Sequence, residues 1–567
     1  MFLEEHGLIV MLVVKEAVMD WFKTTHKTVL SGIVIFLGLA LLPAAYADAG
    51  SSPIGAKIKW HLQGNSGLWV YSSTLKSFYK DRDYRPIWLD GNGLNRKGET
   101  LLENLRTASL DGLVPDDYHY SEIIELLKQN ETPYPEIDLV LSSAFIDYGS
   151  DLYLGRLDPT RVDKGWHIAK PKPNMPVILE TALRQSDLNA ALRSLSPPTP
   201  EYRKLREVMV RLQAIAENGG WPGVAYPIQL KPGWRNEQVP QIRQTLKIMG
   251  DLDSKWEPDD PEEYDDDLKE AVVHFQKRHG LRADGIIGTK TIAALNIPVV
   301  DRIRQVQVNM ERWRWMPRDM EDRYVLINIP EFKLRLFDHG EVAAKHSVIV
   351  GKAYKESPVL KSAIKHLVLN PYWNVPTNIA REELLMDIQK NPSFLTSNNI
   401  EIIGAKGKIV NPGSVNWNSY SSSNFPFRLR QRPGAKNALG KIKFIFPNKY
   451  DVYLHDTPSR YLFDYDTRTF SHGCIRAENP ELLASELLQD NSGGAKIRDM
   501  INQGETRTVP LPEPVPIYVT YFSAWAEDDG TPYFYSDIYD RDRNLARYYP
   551  DFLYRDGTDT VAANIQD

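Results

Sequence analysis

The residues that could do chemistry sit in one stretch, His455 to Cys474, which reads HDTPSRYLFDYDTRTFSHGC. Cys474 is the single cysteine of the chain. A free thiol ionises at about pH 8.5, so only a small fraction is thiolate at neutral pH and a thiol nucleophile needs a base beside it. His455, at the end of a predicted strand, is the candidate base. Cys474 closes a tight turn, Ser471-His472-Gly473, where glycine lets backbone amides converge on one point. Amides placed like that can hold the oxyanion of a tetrahedral intermediate. Beyond the turn, Asn479 and Pro480 read as a helix cap and first helical residue, opening Glu481 to Leu488. A helix N-terminus there, with Arg476 close by, favours thiolate. The chemistry such residues would support is acyl transfer through cysteine. Taken as a bare Cys–His pair, the same residues fit a buried, inert cysteine with two ordinary histidines more readily.

Positioning such a site takes a β core, and the second half of the chain has the pattern for one. After Tyr324 the hydrophobic period becomes two: Val325, Ile327 and Ile329 alternate, Leu334 and Leu336 continue, and Asp338-His339-Gly340 supplies a turn. Further strand candidates are Ser347 to Val350, His366 to Leu369, Lys441 to Phe446 and Asp451 to His455. A long insertion, about 379–432, begins with a helix (Arg381 to Gln389), turns polar and reads as a lid. The catalytic domain is expected over 323–510. A terminal hairpin and tail are expected over 511–567, with Pro516 to Ala526 and Thr531 to Tyr539 flanking Asp528-Asp529-Gly530.

The first half reads as helical. Thr100 to Leu110, Ser121 to Lys128 and Leu139 to Leu152 have apolar residues at helical spacing, and Glu201 to Asn218 ends at Gly219-Gly220. A helical scaffold is expected over 48–238, without a catalytic constellation. A small three-helix bundle over 239–298 carries Ile242, Leu246 and Met249 on one face and Leu268, Val272 and Phe275 on another, and residues 299–322 read as a linker. The acidic loop Glu257 to Asp267 reads as a solvated insertion lacking the spaced ligands that calcium requires.

Composition bounds the rest. The 567 residues suit about three to four domains. A net charge of -6 gives no basic footprint for nucleic acid. One cysteine excludes a disulfide framework and a Cys-ligated zinc site, and neither HExxH nor a phosphate-binding glycine loop is present, so no metal or cofactor is expected. Lys23 and Lys27, the apolar run Val29 to Leu42, and Ala45-Tyr46-Ala47 read as an export signal over 1–47. It is either cleaved after Ala47 or kept as a single anchor.

Two resemblances sharpen this reading. The phrase AVVHFQKRHGLRADGIIGTKTIAALN resembles the common peptidoglycan-binding module at Phe275, Gln276, Leu281, Asp284, Gly285, Gly288, Thr291 and Leu295, most of them structural positions. His455, fifteen intervening residues and then S-H-G-C resemble the signature of the L,D-transpeptidases with a YkuD-type catalytic domain. The whole arrangement is similar to the large multidomain, YcbB-like branch of Gram-negative bacteria. It implies a multidomain α+β fold of helical scaffold, three-helix module and mainly-β catalytic domain with a lid-like insertion.

The resemblance also implies roles. Cys474 is the acylated nucleophile, His455 the general base, and the Asp456 backbone carbonyl orients that histidine. Amides around His472, Gly473 and Cys474 hold the oxyanion. Tyr453 and Trp373 line the cleft and Ser471 contacts substrate, while Arg476, where smaller members carry asparagine, either contacts a substrate carboxylate or is structural. The implied reaction takes a peptidoglycan tetrapeptide donor, releases D-alanine and joins two diaminopimelate residues in a 3→3 crosslink through a thioester. Water, a lipoprotein lysine or a free D-amino acid are alternative acceptors, and a non-catalytic wall-binding scaffold is a rival of another class. A periplasmic location, carbapenem acylation of Cys474 and wall-synthesis partners are also expected.

Overall fold

The computed structural model describes residues 53–65, 72–129, 135–225 and 229–549. The segment read as an export signal lies outside them. No described helix is long and apolar enough to cross a membrane.

The scaffold is helical for local reasons. Helix α1 (Arg96–Arg106) starts where the Asn95 side chain accepts from the amides of Lys97 and Gly98, satisfying orphan donors of the first turn. Helix α2 (Pro135–Leu154) stops at Gly155, whose φ of +78° suits glycine. Helix α3 (Pro200–Glu217) ends at Gly219 and Gly220, both at positive φ. Leu101, Leu105, Leu141, Phe145 and Leu192 meet in a core of their own.

The three-helix module is α4 (Val239–Met249), α5 (Asp266–Arg278) and α6 (Thr289–Leu295), closed on Ile242, Leu246, Leu268, Val272, Phe275 and Ile292. Gln276 is buried. Its amide donates to the Ile286 carbonyl at 2.9 Å and its oxygen accepts from the Gly285 amide at 2.9 Å, so it holds the turn between α5 and α6. In the acidic loop, Asp265 caps α5 and pairs with Arg243 at 2.8 Å.

Residues 299–322, expected as a linker, instead begin with helix α7 (Val299–Trp315), buried along nearly its whole length. Its sequence looks polar, yet its buried charges Glu311, Arg312 and Arg314 each reach a partner in another part of the chain. Arg314 pairs with Glu311 at 3.1 Å and donates to the Tyr202 hydroxyl at 2.7 Å. Glu311 also accepts from the Leu157 amide at 2.7 Å, and Arg312 pairs with Asp542 at 2.5 Å. The helix is the axle on which scaffold and β domain turn their buried faces together.

The β domain comprises β1 (Arg323–Asn328), β2 (Lys333–Asp338), β3 (Glu341–Gly351), β4 (Leu360–Leu369), β5 (Ile442–Ile445), β6 (Leu454–His455), β7 (Thr469–Ser471), β8 (Ile475–Ala477) and β9 (Arg507–Thr520). The order is β7-β3-β8-β6-β5-β4-β9-β1-β2, and β2 pairs back onto β3, which closes the sheet on itself. Closure covers the edge that β2 would otherwise present and leaves the three-residue β7 at an edge. Between β2 and β3, His339 and Gly340 both take positive φ, the geometry of a two-residue hairpin.

Two expectations need correction. Residues 511–520 are not part of a terminal hairpin: they belong to β9, which lies inside the sheet between β4 and β1. Only Ala524–Ala526 and Pro532–Phe534 form the short hairpin. The insertion is more than a polar lid. Strands Trp373–Asn374, Ile400–Ile403, Ile409–Val410 and Arg428–Gln431 form a four-stranded sheet, and Ile388, Leu395, Ile402, Phe425 and Leu429 fill a separate core.

Candidate active site

Alternation along three adjacent strands assembles the site. β6 and β8 are parallel, with Leu454 opposite Ile475 and His455 opposite Arg476; β5 is antiparallel to β6, with Lys443 opposite His455. Leu454, Ile475 and Phe444 are fully buried in the core. Side chains alternate faces along a strand, so Lys443, Tyr453, His455, Cys474 and Arg476 share the opposite face. The Tyr453 and His455 rings lie 5.6 Å apart.

His455 is buried, and its Nδ1 lies 2.5 Å from the Asp456 carbonyl oxygen. A carbonyl only accepts, so Nδ1 carries the hydrogen and Nε2 is the basic nitrogen of the neutral ring. Burial, then the nearby Arg476, push the imidazole down to about 3. The Asp456 carboxylate faces elsewhere, accepting from the Lys441 amide at 2.8 Å and from Arg460 at 3.0 Å.

Cys474 is partly buried, and its thiol donates to the Asp451 carbonyl at 3.9 Å. Burial raises the thiol, outweighing hydrogen bonds from the Tyr453 amide and hydroxyl and the cations Lys443 and Arg476. The resting pair is therefore thiol and neutral imidazole. The Tyr453 phenol, held above its ordinary range by burial and then by Cys474, also meets the Trp373 indole from the insertion's sheet.

The motif turn is held from behind. Gly473 has φ +109°, and a Cβ there would sit 3.3 Å from the Glu356 carbonyl. Its own carbonyl accepts from Ser357 at 2.8 Å. Ser471, expected to contact substrate, is instead turned into the motif: buried, it donates to the Cys474 carbonyl at 2.5 Å and accepts from the Gly473 amide at 3.1 Å. Its hydroxyl is used up within the turn. The same bond occupies the Gly473 amide expected to face an oxyanion. Among the described residues the Cys474 amide has no acceptor, and that amide is the open donor at the thiol.

His472 Nε2 donates to the Glu383 carboxylate of the insertion across 2.8 Å, joining motif and lid. Asn479 makes no side-chain cap on the helix α8 (Pro480–Leu487). Lys443 and Glu383 were not singled out by sequence. The first was readable from the alternation of Lys441 to Phe446, which sends Lys443 to the face of His455. The second depends on how the insertion docks, for which the sequence carries no signal. Among the described residues no group of His, Cys, Asp and Glu is arranged to hold a metal ion.

Residues 322–509 match the YkuD family, described as the L,D-transpeptidase catalytic domain. This segment is an L,D-transpeptidase catalytic domain. Residues 73–209 match the family described as "Scaffold domain", and 235–295 that described as "Putative peptidoglycan binding domain". A curated relative, "Putative L,D-transpeptidase" of Haemophilus influenzae, is 34% identical over 244 residues, 43% of this chain and 49% of the relative. The chain thus spans about half the length of the curated relative it matches. Among solved structures, the L,D-transpeptidase (residues 123-326) of Xylanimonas cellulosilytica is 15% identical, with 52% of this chain and 99% of that one covered at a TM-score of 0.17. That of Stackebrandtia nassauensis is 13% identical, with 53% and 96% covered at 0.21. At such scores these two likenesses add nothing to the assignment.

Proposed function

We propose that this protein is an exported, periplasmic peptidoglycan L,D-transpeptidase that forms 3→3 crosslinks from tetrapeptide donor stems through a thioester on Cys474. The observation that carries the reading is the chain's one thiol on the same sheet face as an imidazole whose Nδ1 is tied to the Asp456 carbonyl, inside an L,D-transpeptidase domain. His455 Nε2 takes the thiol proton as Sγ attacks the carbonyl of the third stem residue. The oxyanion forms beside the Cys474 amide, a donor already in place. Collapse returns the proton to the leaving amine and releases D-alanine. The side-chain amine of a second diaminopimelate then attacks the thioester, His455 accepts its proton, and the departing thiolate takes that proton back. The energy of the broken peptide bond is kept in the thioester, so the reaction needs no activated cofactor.

A folded insertion tied to the motif through His472 and Glu383 supports a bulky peptide acceptor over water. The same acyl-enzyme passed to water would be an L,D-carboxypeptidase; passed to a D-amino acid or a lipoprotein lysine it would exchange or anchor. The test is mass spectrometry of the protein and its products after incubation with disaccharide-tetrapeptide. D-Alanine release, an adduct on Cys474 and a 3→3 dimer are expected, with none of them in Cys474→Ala. An adduct with only tripeptide product assigns a carboxypeptidase. Folded protein without an adduct overturns the reading and leaves a wall-binding scaffold. Carbapenem acylation of Cys474 is expected of the same thiol.

A further inference from the structure

Two cations flank the thiol, and neither has an ion-pair partner among the described residues. Lys443 projects from β5 directly opposite His455, and its ammonium lies 3.7 Å from the centre of the Tyr453 ring. The Tyr453 hydroxyl in turn acts on the Cys474 thiol, favouring its ionised form. Arg476, opposite His455 on the other side, has a buried Nε without a hydrogen-bond partner. Besides the thiol, the acid that acts on Lys443 is Asp451, which is solvent-exposed and makes no ion pair with it. Burial disfavours both charges. A half-buried ammonium and guanidinium converging on one atom, with no resident carboxylate, form a site that is electrostatically incomplete without an anion.

Which anion follows from where the chemistry occurs. If Sγ attacks a peptide carbonyl, the residue after it begins with the leaving nitrogen. Consecutive Cα atoms are about 3.8 Å apart. When that following residue is the last one, its carboxylate sits one further bond away, close to the attacked carbon and to any group flanking Sγ. We propose that Lys443 is a substrate-binding residue which, with Arg476, receives the terminal carboxylate of the donor's leaving D-amino acid. This rests on the transpeptidase reading above and deepens it: the site selects stems ending one residue past the scissile carbonyl. A longer stem would put a neutral amide between the two cations. The rival role, holding Cys474 as thiolate, is disfavoured because the thiol stays raised despite both cations.

The test compares acylation of Cys474 by a tetrapeptide with a free C-terminal carboxylate and by the same peptide ending in a carboxamide, read by intact mass. Three full-length proteins are used: wild type, Lys443→Met, which keeps the aliphatic stem over Tyr453, and Lys443→Arg, which keeps the charge. A charged hydrogen bond is worth on the order of tenfold to a hundredfold in such a comparison. The wild type is expected to prefer the free carboxylate. Lys443→Met should lose at least about tenfold of that preference, while Lys443→Arg retains most of it. Labelling of Cys474 by neutral iodoacetamide confirms an intact site in each variant, and the preference is measured within one protein, so a general loss of activity cannot mimic it. An unchanged preference in Lys443→Met, with or without equal slowing of both donors, overturns the proposal. Wild type inert to both peptides refutes the transpeptidase reading instead.

Discussion

The protonation state of the site makes a direct prediction about the thiol. His455 is pushed down to about 3 by burial and by Arg476, while burial raises Cys474. With an ordinary thiol near about 8.5, the gap is roughly five pH units, so moving the proton from Cys474 to His455 at rest costs about 7 kcal/mol before the attraction between the two new charges is counted. The resting site is thiol and neutral imidazole, with the ion pair a minor state. Because the chain has one cysteine, iodoacetamide alkylation followed by intact mass reports this thiol alone. The rate should rise about tenfold per pH unit from pH 5 through pH 8 and level off only above the ordinary thiol range. His455→Ala should keep that shape while losing acyl transfer from tetrapeptide if, as proposed, His455 accepts the proton during attack and does not ionise the thiol beforehand. A plateau of alkylation between pH 4 and pH 8 in the wild type, abolished in His455→Ala, would refute the argument: it is the profile of a preformed ion pair.

Three further perturbations test the packing around the site. Ser471→Ala removes two buried hydrogen bonds within the motif turn; it should cost about 1–3 kcal/mol in urea unfolding and slow Cys474 acylation on the order of a hundredfold by displacing the thiol, and unchanged acylation would exclude the role given to this hydroxyl. Glu311→Gln strips Arg314 of its partner at a position where both side chains are fully buried; a loss of about 3–5 kcal/mol is expected, and a change under about 1 kcal/mol would mean that α7 does not depend on the pair. Glu383→Gln breaks the half-exposed contact to His472, so global stability should move by less than about 1 kcal/mol while amide exchange quickens over 377–390; unaltered exchange would show that this contact does not hold the insertion down.

Much of the site was legible because β alternation is short-range. Val325, Ile327, Leu334 and Leu336 read as strands from their own spacing, and β5 and β6 lie where Lys441 to Phe446 and Asp451 to His455 were expected. The spacing of His455 and Cys474 was visible in the sequence; that parallel strands set them side by side was not. The failures share a cause. α7 looked like a linker because Arg312, Arg314, Glu311 and Asn309 are polar. Their partners Asp542, Tyr202, Leu157 and Ser523 lie far away in the chain. β9 looked detached because its prolines at 510, 512, 514 and 516 argue against a central strand. It accommodates them with a register shift between Pro510 and Val515. Ser471 was assigned outward for want of any local sign that its hydroxyl would be consumed by Gly473 and Cys474.

The separate domains converge on the turn that carries the thiol. The Gly473 carbonyl accepts from Ser357, and Ser357 also accepts from the Gly351 amide at 3.0 Å. Tyr539, from the last described stretch of chain, donates to the Gly351 carbonyl at 2.6 Å and accepts from the Ser357 amide at 3.3 Å. Two residues on, Arg541 pairs with Glu356 at 2.6 Å and reaches Asp163 of the scaffold at 3.6 Å. A Cβ on Gly165 would overlap the Arg541 guanidinium, so the scaffold is shaped to admit it. A nucleophile whose base is neutral depends on position more than on charge, because its proton must move at the instant of attack. On the transpeptidase reading proposed above, that position is set by a loop which the scaffold and the stretch Tyr539 to Arg541 grip together, so the scaffold would contribute to acyl transfer through the placement of Cys474.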